Sequence, residues 1–371
     1  MTINTFLNGV HARLRSNDPQ KITIVTGNDS ADLDSVVSAL SFAYCSSQVD
    51  PTTLYVPLVK VPLADIELRP EIDYVLSSAG IECKKLVYMD QIDVSKLETQ
   101  ETSSVVLVDH NRLTPPFADA WNSKVEAVLD HHVDEGFYTT AVPRDVRMVG
   151  SCTSLVIQHF PDYFVPDTPL ANMALGPILV DTIGLQWELG KTTDTDVDAF
   201  RKITGGQMDD ADIKKRHEEI ERVKSRVTHL CTRDLLRKDY KEWVVHGFRV
   251  GTSSMPWYLK AWVERDGMDS VIQDTQAYIQ ERHLDFEIVL TGYDHNGCYE
   301  RELALFVHND KLLVVKELLE RDSSINLTHR PFQPKDTAHI TFYHQGNVKM
   351  SRKQVWPLVQ SLIEKISSSS K

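Results

Sequence analysis

Cysteine is scarce in this chain: Cys45, Cys83, Cys152, Cys231 and Cys298 make five in 371 residues, with no C-x-x-C pair among them. An odd, scattered set excludes a disulfide framework and a zinc-ribbon spacing, and fits reduced, buried thiols in a cytosolic protein. Long apolar runs are missing as well. No segment approaches the ~20 apolar residues that a membrane-spanning helix needs, yet 42% hydrophobic residues supply enough apolar surface for real cores. Positive charge is in deficit, with 40 Lys and Arg against 53 Asp and Glu, a formal net charge of −13. Phosphate-backbone binding needs a basic face, so this balance argues against nucleic acid as a partner, and no basic strip interleaved with aromatics offers a platform for single strands. Internal repeats are absent. Acids are lacking from Met1 to Arg15, which include Arg13 and Arg15, a faint likeness to a mitochondrial presequence. The stretch reads more simply as a helix packed on the first strand, and the expected location is cytoplasmic.

Against these absences stand four separated acidic patches, each at the apparent end of a strand: Asn28-Asp-Ser-Ala-Asp32-Leu-Asp34, Asp109-His-Asn111, Asp130-His131-His132, and Asp181. Lys21–Thr26 is an apolar, β-branched strand, and Ser35–Tyr44 after it has helical spacing. The first acids therefore sit on a strand-to-helix turn. Ser104–Val108 ahead of Asp109 and Val125–Leu129 ahead of Asp130 repeat the pattern. Apolar strands alternating with helices imply a parallel α/β sheet, whose ligand sites lie at the carboxyl ends of the strands. Leu170–Val180, which carries Asp181 at its end, reads equally as an apolar helix or a buried strand. Carboxylates at i and i+2, Asp32 and Asp34, repel each other, and a pair of divalent cations would remove that cost.

The series Asn-x-x-x-Asp-x-Asp, strand-Asp, Asp-His-His and lone Asp resembles the DHH phosphoesterase superfamily. Gly27–Ser35, Gly150–Ser154, Leu236–Lys241 and Ser351-Arg-Lys-Gln354 resemble its branch of cytosolic exopolyphosphatases, prune-type phosphohydrolases and family II inorganic pyrophosphatases, from about Lys21 to about Trp356. The resemblance implies two divalent ions. Asp32 and Asp109 would hold one, with Asn28 beside them, and Asp34, Asp109, His131 and Asp181 the other, Asp109 bridging. Asp130 would orient His131 from behind, and His132 would donate to a substrate phosphate. Family pyrophosphatases carry His where this chain has Asn28. An amide oxygen is harder than imidazole, so Mg²⁺ is expected ahead of Mn²⁺ or Co²⁺. His110 receives no role.

Two divalent cations cancel the four carboxylates Asp32, Asp34, Asp109 and Asp181, so an anionic substrate needs further positive groups. In the family these belong to a C-terminal domain closing over the metals, and Lys241, Arg352 and Lys353 match its phosphate-binding positions. Read without the resemblance, Ser351 is a helix N-cap and Lys238 and Lys241 are strand-edge lysines. Lys and Arg at a helix start nonetheless oppose the macrodipole, which favours an anion-binding use. Gly150–Ser154 is either a plain helix entry or a phosphate contact. Arg112, Arg144 and Lys214–Arg216 read as solvated surface rather than a channel lining.

The expected architecture is two α/β domains, a parallel-sheet domain at 1–204 and a mixed-sheet domain at 212–371, with Gly205–Ala211 as linker and the active site in the cleft between them. A helix from Asp212 to Cys231 opens the second domain. Strands follow near Trp243–Thr252, Phe286–Thr291, Leu303–His308 and His339–Tyr343, with helices near Asp269–Glu281 and Ser351–Ile366, and Ser367–Lys371 is a tail too polar to pack. The expected activity is exopolyphosphatase, removing terminal orthophosphate from linear inorganic polyphosphate, with no nucleic-acid or membrane partner and an oligomeric state the sequence does not set. A pyrophosphatase or short-chain nucleotide phosphohydrolase is the runner-up, and a regulatory binding protein of the prune type the reading from another class. Intact ligand positions favour catalysis. The exonuclease branch of the superfamily has a glycine-rich substrate motif where this chain has Ser351-Arg-Lys-Gln354.

Overall fold

A computed structural model of the chain describes residues 1–16, 21–295 and 297–369 and resolves into two units, Met1–Lys224 and Ser225–Lys371. In the first, strands β1 (Ile22–Thr26), β2 (Leu54–Val59), β3 (Val87–Tyr88), β4 (Ser103–Val108), β5 (Val125–Asp130) and β6 (Arg144–Val146) form a six-stranded sheet in the order β3-β2-β1-β4-β5-β6. Every pairing is parallel. Helices α1 (Ile3–Arg15), α2 (Leu33–Val49), α3 (Pro70–Ser78), α4 (Val94–Glu98), α5 (Cys152–His159), α6 (Pro169–Asp181), α7 (Asp194–Thr204) and α8 (Asp210–Lys224) complete it. All residues of β1 and β4 are buried, which is why neither shows the apolar/polar alternation of a strand with one solvated face. The strand order reverses between β1 and β4. In such sheets ligands bind at that switch point, outside the carboxyl ends of the strands.

The ambiguous segment before Asp181 is helix α6, capped by Thr168 with Pro169 in its first turn. It is buried on every side by residues such as Leu170, Met173, Leu175 and Ile178, so no polar stripe exists to reveal its period. The division between units falls after Lys224, where 205–211 was expected. Gly205, at φ 61°, is the left-handed C-cap of α7. Helix α8 follows and buries Ile213, Ile220 and Val223 against α3 and α6 of the first unit. The helix expected to reach Cys231 stops at Lys224.

The second unit holds a mixed sheet in the order β13-β14-β12-β9-β8-β7, from β7 (Tyr240–Val245), β8 (Phe248–Met255), β9 (Phe286–Thr291), β12 (Glu302–Val307), β13 (Leu327–His329) and β14 (Ile340–Gln345), with β10 (Tyr293–His295) and β11 (Cys298–Glu300) as a separate hairpin. Only β8–β9 pair in parallel. Where one strand was expected at Trp243–Thr252, β7 and β8 form a hairpin turned by His246 and Gly247, both at positive φ, the combination that matches strand twist. Helices α9 (Thr232–Lys238), α10 (Leu259–Asp266), α11 (Met268–Arg282), α12 (Leu313–Arg321) and α13 (Arg352–Ser369) cover the sheet. Trp243 of β7 stacks on Trp356 of α13, ring centroids 4.1 Å apart. Helix α13 runs through Ser367 to Ser369, further than the expected tail allowed, and Ser370 and Lys371 lie outside the described residues.

Glu287 of β9 is fully buried, and its Oε1 accepts a 2.6 Å bond from Ser253 Oγ. Burial pushes its carboxyl up to about 8 from 4.5, the Ser253 bond opposing and Glu242 adding. The folded chain therefore keeps a proton that the unfolded chain releases above its ordinary value. Stability from this group is fully present below pH 4.5 and falls as pH rises towards about 8. Urea unfolding across that range should show Glu287→Gln with a shallower decline than wild type, the difference reaching up to ~1.4 kcal/mol per pH unit. Parallel curves would contradict the assignment.

Candidate metal centre

The chain leaves β1 at Thr26, turns through Asn28–Ala31 and enters α2, with Asp32 as N-cap, its Oδ1 accepting from Ser35 N at 3.0 Å. Asp34 lies in the first turn and is buried. Its Oδ1 accepts from Ser151 Oγ (2.8 Å), Thr153 N (2.9 Å), Thr153 Oγ1 (2.7 Å) and Ser38 Oγ (3.2 Å), and its Oδ2 from Cys152 N (2.6 Å). The N-terminus of α5 thus holds a carboxylate of its own chain, where a substrate phosphate was one reading of Gly150–Ser154. Asp196, also buried, takes Gly150 N at 2.8 Å, Ser151 N at 3.2 Å and Ser154 Oγ at 2.7 Å. These donors are engaged within the fold.

Asp109 follows β4 at φ 60°, a left-handed conformation that Asp tolerates better than most residues. Its carboxylate is buried between two groups of partners. Oδ2 accepts from Ser35 Oγ (2.6 Å) and Asn28 Nδ2 (2.8 Å), while Oδ1 lies 3.0 Å from His131 Nε2 and 3.7 Å from His132 Nδ1. Asn28 presents its amide nitrogen to Asp109, its oxygen accepting from Ser30 N and Oγ at 2.9 and 2.5 Å. A rotation of that amide would be needed for the oxygen to serve as a ligand.

Asp130 ends β5 fully buried, and its role differs from expectation. Its Oδ1 accepts from the His132 ring at Nδ1 (2.9 Å) and from the His131 and His132 amides (2.7 and 3.2 Å), while Oδ2 accepts from Asn111 Nδ2 (2.5 Å). Asp130 therefore orients His132, not His131. The His131 ring donates from Nδ1 to the Val149 carbonyl at 3.1 Å, which turns Nε2 towards Asp109 and Asp34, at 3.0 and 3.8 Å. Fixing one ring nitrogen and presenting the other is what metal ligation by histidine requires.

Asp181 stands at the end of α6 with its Oδ2 buried and without a hydrogen-bond partner among the described residues. Burial, then Asp34, Asp32 and Asp109, pushes its carboxyl well above the usual range. Asp109 is likewise raised by burial, His131 opposing and Asp34 and Asp32 adding. Burial works against a His131 imidazolium, but its bond to Asp109 and the fields of Asp34 and Asp109 outweigh this and raise it. Converging buried acids, one oxygen orphaned, beside a presented imidazole nitrogen make a donor set that fits hard divalent cations. His110 donates from Nδ1 to the Val108 carbonyl and is held neutral by burial, its value lowered to about 4.

A cavity of about 530 Å³ opens over this centre, lined by Asn28, Asp29, Asp109, Thr114, Asp130 and His132 among others. Arg112 pairs with Glu135 at 3.3 Å and both line this cavity, where solvated surface was expected, and Arg144, its side chain only 18% exposed, pairs with Asp134 at 2.5 Å. The cationic candidates Lys241, Arg352 and Lys353 belong to the second unit. Lys241 and Lys353 are exposed. Arg352 donates to Asp239 through Nη2 to Oδ1 (2.5 Å) and Nη1 to the carbonyl (2.9 Å). Ser351 and Gln354 cap α13 reciprocally, Ser351 N donating to Gln354 Oε1 at 3.0 Å and Lys353 N to Ser351 Oγ at 3.3 Å. Sequence reasoning missed Lys60, whose buried ammonium pairs with Asp29 at 2.5 Å. Its signal was a lone lysine inside the apolar run Leu58–Val61.

Comparison with known proteins adds an independent line. The DHH family N-terminal domain matches residues 21–176 and the DHHA2 domain residues 218–362. The chain is 30% identical to the Schizosaccharomyces pombe protein named "Putative exopolyphosphatase", over 93% of this chain and 92% of that protein. It is 29% identical to the Rattus norvegicus protein named exopolyphosphatase PRUNE1, over 96% of this chain and 78% of that protein. A probable manganese-dependent inorganic pyrophosphatase of Archaeoglobus fulgidus is 28% identical over 64% of this chain and 71% of its own. Among solved structures, a Methanococcus jannaschii protein named "putative family II inorganic pyrophosphatase" superposes with a TM-score of 0.56 at 21% identity, over 92% of this chain and 99% of that one, a likeness of fold.

The repulsion gives a thermal signature. In chelator, Asp181→Asn should melt higher than wild type, since it removes a carboxylate whose buried, unpartnered oxygen faces other acids, with ~2–4 °C for each kcal/mol relieved. With Mn²⁺ added, wild type should gain thermal stability and the variant much less. Scanning calorimetry with and without metal reads both shifts, and an equal metal-induced gain in the two proteins would contradict ligation by Asp181.

Proposed function

The chain belongs to the DHH family, with a DHHA2 domain following its DHH domain, and from that premise we propose that it is a metal-dependent exopolyphosphatase, releasing terminal orthophosphate from linear inorganic polyphosphate. The observation that carries the reading is the cluster of Asp109, His131 and His132, whose ligand atoms lie within 4.8 Å of one another, with buried Asp34 3.8 Å from His131, and with Asp109 and His132 lining a cavity. The names of the relatives from Schizosaccharomyces pombe and Rattus norvegicus support the substrate class. Two divalent ions are assigned, one to Asn28, Asp32 and Asp109 and one to Asp34, Asp109, His131 and Asp181. Mg²⁺ is the first choice for the Asn28 position, and the manganese in the name of the pyrophosphatase relative makes Mn²⁺ the second. When bound, such ions neutralise charge, polarise phosphoryl oxygens and activate water for attack at neutral pH.

The chain's own residues do the rest. His132, with Nδ1 committed to Asp130, keeps Nε2 for a phosphate oxygen. Its bond to Asp130 raises it above the usual histidine range against the pull of burial, which favours the donor form. Asp109 would belong to both ligand sets, and Ser35 holds its Oδ2. Lys241, Arg352 and Lys353 are assigned to substrate phosphates. Asp239 occupies one edge of the Arg352 guanidinium and leaves the remaining N–H groups for phosphate oxygens. No covalent intermediate on the protein is required. The metal chemistry is assigned to the first domain and phosphate binding to the second. No helix of the described residues is long and apolar enough to cross a membrane; Cys45, Cys83 and Cys152 are buried and free, whereas Cys231 and Cys298 are exposed, against the expectation of buried thiols throughout.

Orthophosphate release from long polyphosphate, tripolyphosphate, pyrophosphate and a short oligonucleotide at equal phosphate concentration tests the reading. Polyphosphate should rank well above pyrophosphate and the oligonucleotide should be inert. A preference for pyrophosphate would make the protein a pyrophosphatase, and inactivity on all four with metal bound would leave a binding protein. Within the same assay, His132→Ala should lower kcat by about 100-fold, the scale of a lost charge-assisted contact in the transition state, while calorimetry still counts two metals. Loss of one metal would make His132 a ligand.

A further inference from the structure

Lys60 directly follows β2 and is followed by Val61, and its side chain is only 2% exposed. A buried ammonium is tolerated where neighbours both neutralise it and satisfy its N–H groups. Here Nζ lies 2.5 Å from Asp29 Oδ1 and donates to the Thr114 hydroxyl and, at 3.4 Å, to the Thr114 carbonyl. Thr114 Oγ1 in turn donates to Asp29 Oδ1 at 2.7 Å. The three groups come from three places. Asp29 adjoins Asn28 in the loop after β1, Thr114 lies in the loop that Asp109 opens after β4, and Lys60 stands at the end of β2. One cation therefore ties together the two loops that carry Asn28, Asp32 and Asp109, on the two strands flanking the switch point.

The other ligand set is held differently. Asp34 is fixed by the N-terminus of α5, His131 by the Val149 carbonyl, and Asp181 by α6, and none of them shares a hydrogen bond with Lys60, Asp29 or Thr114 among the described residues. Asp29 and Thr114 line the cavity and Lys60 does not, so Lys60 acts through its partners.

We propose that Lys60 is a positioning residue for one of the two ions: through Asp29 and Thr114 it sets the affinity of the Asn28, Asp32 and Asp109 position and leaves the Asp34, His131 and Asp181 position unaffected. This rests on the two-metal assignment above. The test is titration calorimetry of the full chain with Mn²⁺, comparing wild type with Lys60→Met/Asp29→Asn, which removes both charges and strands neither. One affinity should fall by about 10-fold or more, the scale for residues that support ligands, the other should stay within about twofold by the same scale, and Lys60→Arg, which keeps the cation, should restore part of the loss. Thr114→Val, which leaves the ion pair intact, should weaken the same ion by a smaller factor and serves if the double variant fails to fold. Two unchanged affinities, or an equal fall in both, would overturn the proposal. Fewer than two ions on wild type would instead overturn the metal assignment on which it rests.

Discussion

Two buried carboxylates, Asp34 and Asp109, and a third, the half-buried Asp181 with its Oδ2 out of solvent, lie within reach of one another's fields, and the first domain is arranged around making that tolerable. Like charges in a dry site raise each other's proton affinity, which costs stability unless protons or cations intervene. Asp34 is relieved by the α5 N-terminus and the hydroxyls of Ser151, Thr153 and Ser38. Asp109 is relieved by Ser35, Asn28 and His131. Asp181 receives the least help, with one oxygen unpartnered, and so marks where an external cation contributes most.

The sheet explains why such a cluster can be assembled at all. Strand order β3-β2-β1-β4-β5-β6 reverses beside β1, so the loops after β1 and β4 diverge and leave a crevice with β5 next to it. Each loop brings side chains whose ends are fixed by the neighbouring loop: Asn28 on Asp109, Asn111 on Asp130, Lys60 on Asp29 and Thr114. Ligand geometry is thereby set by rigid strands rather than by the loops alone, which is the preorganisation that a two-ion site needs.

Much of this was legible in the chain because the physics is local. A fully buried parallel strand shows no alternation, so Lys21–Thr26 and Ser104–Val108 were legible as strands, and the acids that follow them were legible as rim residues. What stayed hidden depends on side-chain direction or on distant partners. Whether Asp130 serves His131 or its neighbour turns on ring orientation, which sequence does not carry. Helix α6 is apolar all round and shows no period. The pair Gly205-Gly206 resembles a linker, but the first of them caps a helix, and the mostly polar α8 hides that its few apolar residues belong to the first unit. The hairpin at His246-Gly247 escaped because His is an uncommon turn residue.

The central claim is that Asp109 is shared by two divalent ions, each completed by a different group of acids. Anomalous diffraction from crystals of the Mn²⁺-loaded protein reads this directly. The account predicts two manganese peaks flanking the Asp109 carboxylate, one within coordination distance of Asp32 and the other of Asp34, His131 and Asp181. A single peak, or a peak ligated by His132 and Asp130 in place of His131 and Asp181, would contradict it.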